Sequence, residues 1–171
     1  MNRRHLAAVA LSVLLSACAP TSTPDITTEI YLVRHAEKTK AADDPALTDA
    51  GQARALALRE RLITEDITRI FSTDTRRTRD TAAPLAEAMG LEVEIYDAGD
   101  LAGFAQTLKA TPGTHLVVGH SNTTPQLVEW LGGEGGEPIV EATEYDRLYV
   151  VRQGEDGLFT SVLERFGARA R

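Results

Sequence analysis

From Glu29 onward, short apolar runs alternate along the chain with segments whose apolar residues recur at helical spacing. Ile30, Tyr31, Leu32 and Val33 form an uninterrupted run with β-branched and aromatic members, the pattern of a strand covered on both faces, and the run ends at Arg34-His35. Residues 48–63 carry Leu56, Leu58, Leu62 and Ile63 among good helix formers, behind Thr48 and Asp49, which suit a helix start; this predicts a helix. Residues 67–72 predict a second strand and 75–89 a second helix closed by Gly90. Pro84 sits inside that helix, where a ring without an N–H predicts a kink or an early break near Ala83. Residues 91–96 alternate as a third strand, and Asp100 is placed to cap a helix running through Leu108. Pro112-Gly113 marks a turn, residues 115–119 predict a fourth strand leading into His120, and Thr124 and Pro125 open a helix that ends at Gly132-Gly133. After a loop over 132–138, residues 148–152 and 158–166 predict two strands joined by a glycine-containing turn at 154–157.

Strands alternating with helices predict an α/β domain of three layers, α/β/α, with a largely parallel central sheet. The 171 residues fit one domain, and 43% hydrophobic with 25% charged residues is the balance of a chain that buries a core and keeps a solvated surface. Ligands of such sheets collect at the carboxyl ends of the strands, and both Arg34-His35 and Gly119-His120 fall at predicted carboxyl ends. Two histidine-bearing loops are therefore expected to meet on one edge of the sheet. The net charge of -7 argues against a nucleic-acid partner held by a broad basic face, so any phosphate chemistry must rest on a local basic pocket.

The N-terminus carries a separate signal. A short basic stretch at residues 2–5 precedes an apolar run at 6–15 that is too short to cross a bilayer as a helix, which is the shape of a secretory signal. Leu15-Ser16-Ala17-Cys18 follows, and it resembles the lipobox of bacterial lipoproteins, in which the cysteine is acylated and becomes the first mature residue. The resemblance implies residues 1–17 as a lipoprotein signal peptide, 18–28 as a tether rich in Pro and Thr, and 29–171 as the folded domain. It also implies lipid anchoring to a cell-envelope membrane through Cys18, facing the periplasm. Cys18 is the one cysteine in the chain, so no internal disulfide can form.

Three blocks in the domain belong together. Leu32-Val33-Arg34-His35-Ala36-Glu37 resembles the Arg-His signature of the histidine phosphatase superfamily, which includes cofactor-dependent phosphoglycerate mutases and small bacterial phosphohistidine phosphatases. The run from Ser72 to Ala82 resembles the second block, in which an arginine precedes a Thr-Ala pair by four positions; counting back from Thr81 selects Arg77. Gly119-His120-Ser121-Asn122 resembles the third, which carries a second histidine. The resemblance implies a phosphoglycerate mutase-like fold and a phosphomonoester or phosphohistidine hydrolase. In that scheme His35 becomes a phosphohistidine that water hydrolyses, with no metal or cofactor and with a phosphorylated small molecule or phosphoprotein as substrate.

The chemistry suits these residue types. A transferring phosphoryl group spreads charge over three oxygens and needs fixed cationic donors and an in-line nucleophile. Arg34 and Arg77 supply forked donors matched to phosphate; His35 must be unprotonated on its attacking nitrogen, set by a hydrogen bond on the other; and His120, if protonated, adds a third cationic donor. Arg76 and Arg79 read as a solvated helix face, and His115 as structural, within a strand. The general acid for the leaving group stays unassigned among Asp97, Asp100, Glu37 and Asp146, Asp100 being more simply a helix cap. Two other functions share the pattern, a phosphomutase and a non-catalytic lipoprotein binding a phosphorylated ligand. Only 42 positions separate His35 from Arg77 and 43 separate Arg77 from His120, little room for the long insertions with which mutases hold substrate.

Overall fold

The computed structural model describes residues 27–41 and 43–169. The expected signal peptide, Cys18 and most of the expected tether lie outside the described residues, whereas Thr28, assigned above to the tether, is buried as the first residue of a strand. In chain order the elements are β1 (Thr28–Arg34), α1 (Asp49–Leu62), β2 (Ile67–Ser72), α2 (Arg76–Met89), β3 (Val93–Ile95), α3 (Leu101–Lys109), β4 (Gly113–Gly119), α4 (Thr123–Leu131), β5 (Arg147–Gln153) and β6 (Phe159–Arg165). They form one six-stranded sheet in the order β3-β2-β4-β1-β5-β6. The first four strands of that order run parallel, and β5 and β6 add an antiparallel flank.

Side-chain alternation builds the three layers. Ile30, Leu32, Phe71, Val117, Tyr149 and Val151 face α3 and α4, meeting Leu101, Leu108, Leu127 and Leu131. The intervening residues Tyr31, Val33, Ile70, Leu116, Val118, Leu148 and Val150 face α1 and α2, meeting Leu58, Leu62, Ala82 and Leu85. Central strands buried on both faces explain why β1 and the core of β4 read as continuous apolar runs rather than as alternating ones. The edge strand β6 alternates partly buried with exposed positions instead.

Local chemistry sets the ends of the helices. Thr48 caps α1 by accepting from the Gly51 N–H at 3.1 Å, and Asp100 caps α3 by accepting from Gly103 at 2.9 Å. Gly90 and Gly132 close α2 and α4 in the left-handed conformation, at φ of 66° and 99°. The break near Ala83 does not occur: α2 continues through Pro84 to Met89. Thr81, Ala82, Leu85 and Ala86, buried on both sides of the proline, hold the two halves against the sheet. Pro84 itself is only half-buried, on the outer side, where solvent can reach the carbonyl it leaves unpaired. The predicted third strand shrinks to three residues, because Glu92 and Leu91 precede the short register in which β3 pairs with Ile70, Phe71 and Ser72.

Candidate active site

β1 and β4 are parallel neighbours whose onward connections leave on opposite faces, to α1 and α4, which makes their carboxyl ends the switch point at which such sheets commonly bind ligands. Arg34 pairs with Gly119 in the register, so His35 and His120 are the first residues beyond the two strands. The His35 N–H donates to the Gly119 carbonyl at 2.9 Å, and the two imidazoles meet edge to face with centroids 5.6 Å apart. β2 lies on the other side of β4 and brings Thr73, while the first turn of α2 brings Arg77, whose Nη2 lies 3.4 Å from His120 Nδ1. The structure thus gathers Arg34, His35, Arg77 and His120 at one sheet edge.

His35 is 3% exposed, and its Nδ1 lies 2.8 Å from the Ala36 carbonyl. A carbonyl can only accept, so the ring proton resides on Nδ1 and Nε2 keeps its lone pair. Burial lowers the imidazole to about 3; the Ala36 carbonyl opposes the shift, and Arg34, Arg77 and His120 reinforce it. The ring is neutral at neutral pH, the form a nucleophile requires. Arg34 is 2% exposed. Its Nη1 donates to the Glu144 carbonyl at 2.9 Å, and its guanidinium carbon stands 4.1 Å over the Tyr145 ring. Nε and Nη2 of Arg34, with Nε of Arg77, are buried donors without a hydrogen-bond partner among the described residues. Buried donors in native structures are nearly always paired with protein, water or ligand, so these three can receive a bound oxygen.

The condition placed on His120, that it be protonated to act as a cationic donor, is not met by the protein alone. Burial, then the charges of Arg77 and Arg34, lower the imidazole to about 4, so the protein by itself holds it neutral at neutral pH. A phosphoryl dianion between these groups would offset the charge of the two guanidiniums and raise the proton affinity of the imidazole. Arg76 and Arg79 lie apart from this group: Arg76 pairs with Asp80 at 3.4 Å and its backbone N–H donates to Asp44, and Arg79 pairs with Asp74 and Asp44. His115, fully buried, has Nε2 2.9 Å from the Thr111 carbonyl.

The four acid candidates are engaged elsewhere. Glu37 forms a forked pair with Arg54, Nη2 to Oε1 at 2.7 Å and Nε to Oε2 at 2.9 Å. Burial is the largest influence on its carboxyl and pushes it up, but Arg54 and the backbone together outweigh it and hold the group below its ordinary range. Asp146 pairs with Arg165 at 2.6 Å, Asp100 caps α3, and Asp97 accepts from the Gly99 N–H at 2.7 Å. Among the described residues no group of three or more His, Cys, Asp or Glu side chains is gathered as a metal site. A wider groove of about 680 Å³ runs between α1 and α2 past Leu56, Arg59, Arg76 and Pro84, but it includes neither histidine.

Three neighbours of the site escaped the sequence reading. Thr73 lies inside the second block and binds His120, so its place beside Ser72 at the strand end was an available signal. Glu144 and Tyr145, which hold and cover Arg34, come from the irregular stretch between α4 and β5, where no periodicity or motif marks them.

The histidine phosphatase superfamily (branch 1) matches residues 30–98, the stretch that holds Arg34, His35 and Arg77. A probable phosphoglycerate mutase GpmB of Citrobacter koseri is 38% identical over 77 residues, which cover 41% of this chain and 35% of that protein. One from Klebsiella pneumoniae is 40% identical over 77 residues, again 41% and 35%. The chain thus spans about a third of the length of the curated relatives it matches. Among solved structures, the protein histidine phosphatase SixA complexed with tungstate superposes with a TM-score of 0.63 at 20% identity, covering 83% of this chain and 96% of that one. A mycobacterial glucosyl-3-phosphoglycerate phosphatase gives 0.61 at 14% identity, covering 83% and 99%. The chain is thus similar to the histidine phosphatase superfamily over residues 30–98, and its described domain shares the fold of these solved phosphatases.

Proposed function

We propose that the protein hydrolyses phosphomonoesters or phosphohistidine through a phosphohistidine intermediate on His35. The observation that carries this reading is the neutral, buried His35, its Nδ1 proton held by the Ala36 carbonyl, beside two guanidiniums with unpartnered donors. In the first half-reaction the Nε2 lone pair attacks phosphorus while the bond to the leaving oxygen or nitrogen breaks. Arg34 and Arg77 hold the equatorial oxygens. In the second, water attacks phosphorus, the P–Nε2 bond breaks, and inorganic phosphate leaves with His35 neutral again. His120 donates to the same oxygens once the bound dianion has raised its proton affinity. The phosphatases among the similar structures support hydrolysis of a phosphorylated substrate.

The mutase reading draws on the names of the curated relatives. Against it, the chain from His35 to Arg77 and from Arg77 to His120 is largely taken up by the helices and strands of the fold itself, α1 to β2 and α2 to β4, with no added element to hold an organic acid during return transfer. The test is turnover of p-nitrophenyl phosphate followed by alkaline quench and mass spectrometry. A phosphate on His35, absent from His35→Ala together with nearly all turnover, is the expected result. Binding of phosphate without turnover would instead favour a phospholigand-binding protein, and phosphate on His120 would invert the two roles.

We further propose that Cys18 is acylated and tethers the domain to an envelope membrane on the periplasmic side, a reading that rests on the leader alone. No helix among the described residues is long and apolar enough to cross a membrane.

A further inference from the structure

Thr73 follows β2 directly, is 4% exposed, and places Oγ1 3.0 Å from His120 Nε2 and 3.0 Å from Thr78 Oγ1. Thr78 Oγ1 in turn lies 2.9 Å from the Thr73 carbonyl, 2.8 Å from the Thr75 carbonyl and 2.8 Å from Thr75 Oγ1. The direction of this chain follows from counting protons. Carbonyl oxygens only accept, so the single Thr78 hydroxyl proton goes to a carbonyl, and Thr78 Oγ1 accepts from its neighbours. Thr73 then spends its own proton on Thr78 and can only accept from His120. On the other side of the ring, Arg77 Nη2 faces Nδ1 at 3.4 Å, and a guanidinium has no acceptor to offer. Both sides therefore require the same tautomer, with the proton on Nε2 and the lone pair on Nδ1.

We propose that Thr73 is a positioning residue that fixes this tautomer of His120, so that Nδ1, on the Arg77 side of the ring, is the atom that takes up a proton and faces a bound phosphoryl group. The proposal rests on the phosphatase reading for its catalytic consequence but not for the tautomer. Without the Thr73 acceptor, the imidazole can rotate or move its proton to Nδ1, and a proton already on Nδ1 cannot respond to the substrate's charge. The groups facing the ring are Arg34 and His35 from the end of β1, Arg77 from α2, Thr73 from the end of β2, and Thr123, whose hydroxyl accepts from the His120 N–H at 3.1 Å. The side chain within reach of Nδ1, Arg77, offers no acceptor to an Nδ1–H, which is why the arrangement discriminates.

The experiment is long-range proton–nitrogen NMR of the full chain with labelled histidine, in wild type, Thr73→Val and Thr73→Ser, alongside kinetics on p-nitrophenyl phosphate. The wild-type spectrum is expected to show His120 protonated at Nε2. Thr73→Val should give a mixed tautomer and a fall in kcat of about tenfold or more with KM changed less, since the loss is felt in the transition state. Thr73→Ser should restore both. A wild-type His120 protonated at Nδ1 overturns the proposal even if Thr73→Val fails to fold, and so does a Thr73→Val protein that keeps the wild-type signature. The Nε2 tautomer in a protein with no turnover would support the proposal while refuting the phosphatase reading, so the two fail separately.

Discussion

Replacing Glu144 tests whether the irregular stretch before β5 is held by its buried ion network. The Glu144 side chain accepts from Arg147 Nε at 2.8 Å, Arg147 Nη2 at 2.9 Å, Arg165 Nη1 at 2.7 Å and the Val140 N–H at 3.1 Å. Glu144 and Arg147 are 8% and 7% exposed, so Glu144→Ala leaves a buried guanidinium without its counter-charge. Removing one partner of such a pair costs about 3–5 kcal/mol. Arg165, largely solvated, adds little to this. For a domain of this size the cost corresponds to a fall in Tm on the order of 6–20 °C. Arg147→Met placed on top of Glu144→Leu should recover much of it, because an apolar pair of similar volume removes the unpaired charge. Function should follow stability, since the Glu144 carbonyl anchors Arg34 and Tyr145 beside it covers the guanidinium. In the folded Glu144→Gln protein, KM for p-nitrophenyl phosphate should rise severalfold or more. Urea unfolding and steady-state kinetics read both. A loss of stability below about 1 kcal/mol in Glu144→Ala, where a buried pair should cost several times that, would refute the electrostatic account. An unchanged KM in Glu144→Gln would refute the link to Arg34.

Arg77→Ala is expected to lower kcat/KM by a factor on the order of a hundred, as loss of a transition-state donor does, whereas Arg76→Ala, paired with Asp80 at the surface, should matter little; equal losses would show the register of the second block to be wrong. His35 and His120 set a pH dependence of stability. Their folded pKa values of about 3 and about 4 lie below the ordinary 6.5, so the unfolded chain binds protons first. Stability is then full above 6.5 and declines as pH falls toward the folded values. His35→Gln should make the decline in unfolding free energy between about pH 7 and pH 5 shallower, and an unchanged slope would contradict the burial argument. The Glu144 carboxyl, lowered to about 2 chiefly by hydrogen bonds from Arg147, loses its contribution only as pH falls from its ordinary 4.5 through that value. Cys18→Ser should move the protein from the membrane to the soluble fraction, and unchanged fractionation would refute lipidation.

Periodicity alone was sufficient to lay out the strands and helices, because a central strand must be apolar on both faces and a covering helix on one. The place of the site at the carboxyl ends of β1 and β4 followed from the same pattern. Arg34, His35, Arg77 and His120 were legible because each lies in a short block at a strand end or a helix start. The expectation that the two histidine loops meet on one edge said nothing of the direct pairing of β1 with β4, about 80 residues apart in the chain, or of the edge-to-face approach of the two imidazoles at 5.6 Å. Nor could the sequence supply the protonation states. Burial and two fixed guanidiniums hold His120 neutral in the protein alone, where the residue type by itself left the charge open. Pro84 read as a helix breaker, yet packing of Ala82 and Leu85 on the sheet overrides one lost hydrogen bond. Glu144, Tyr145 and Arg147 stayed invisible for a related reason. Their role comes from contacts between an aperiodic segment and distant strands, and only the folded chain decides which buried charges meet.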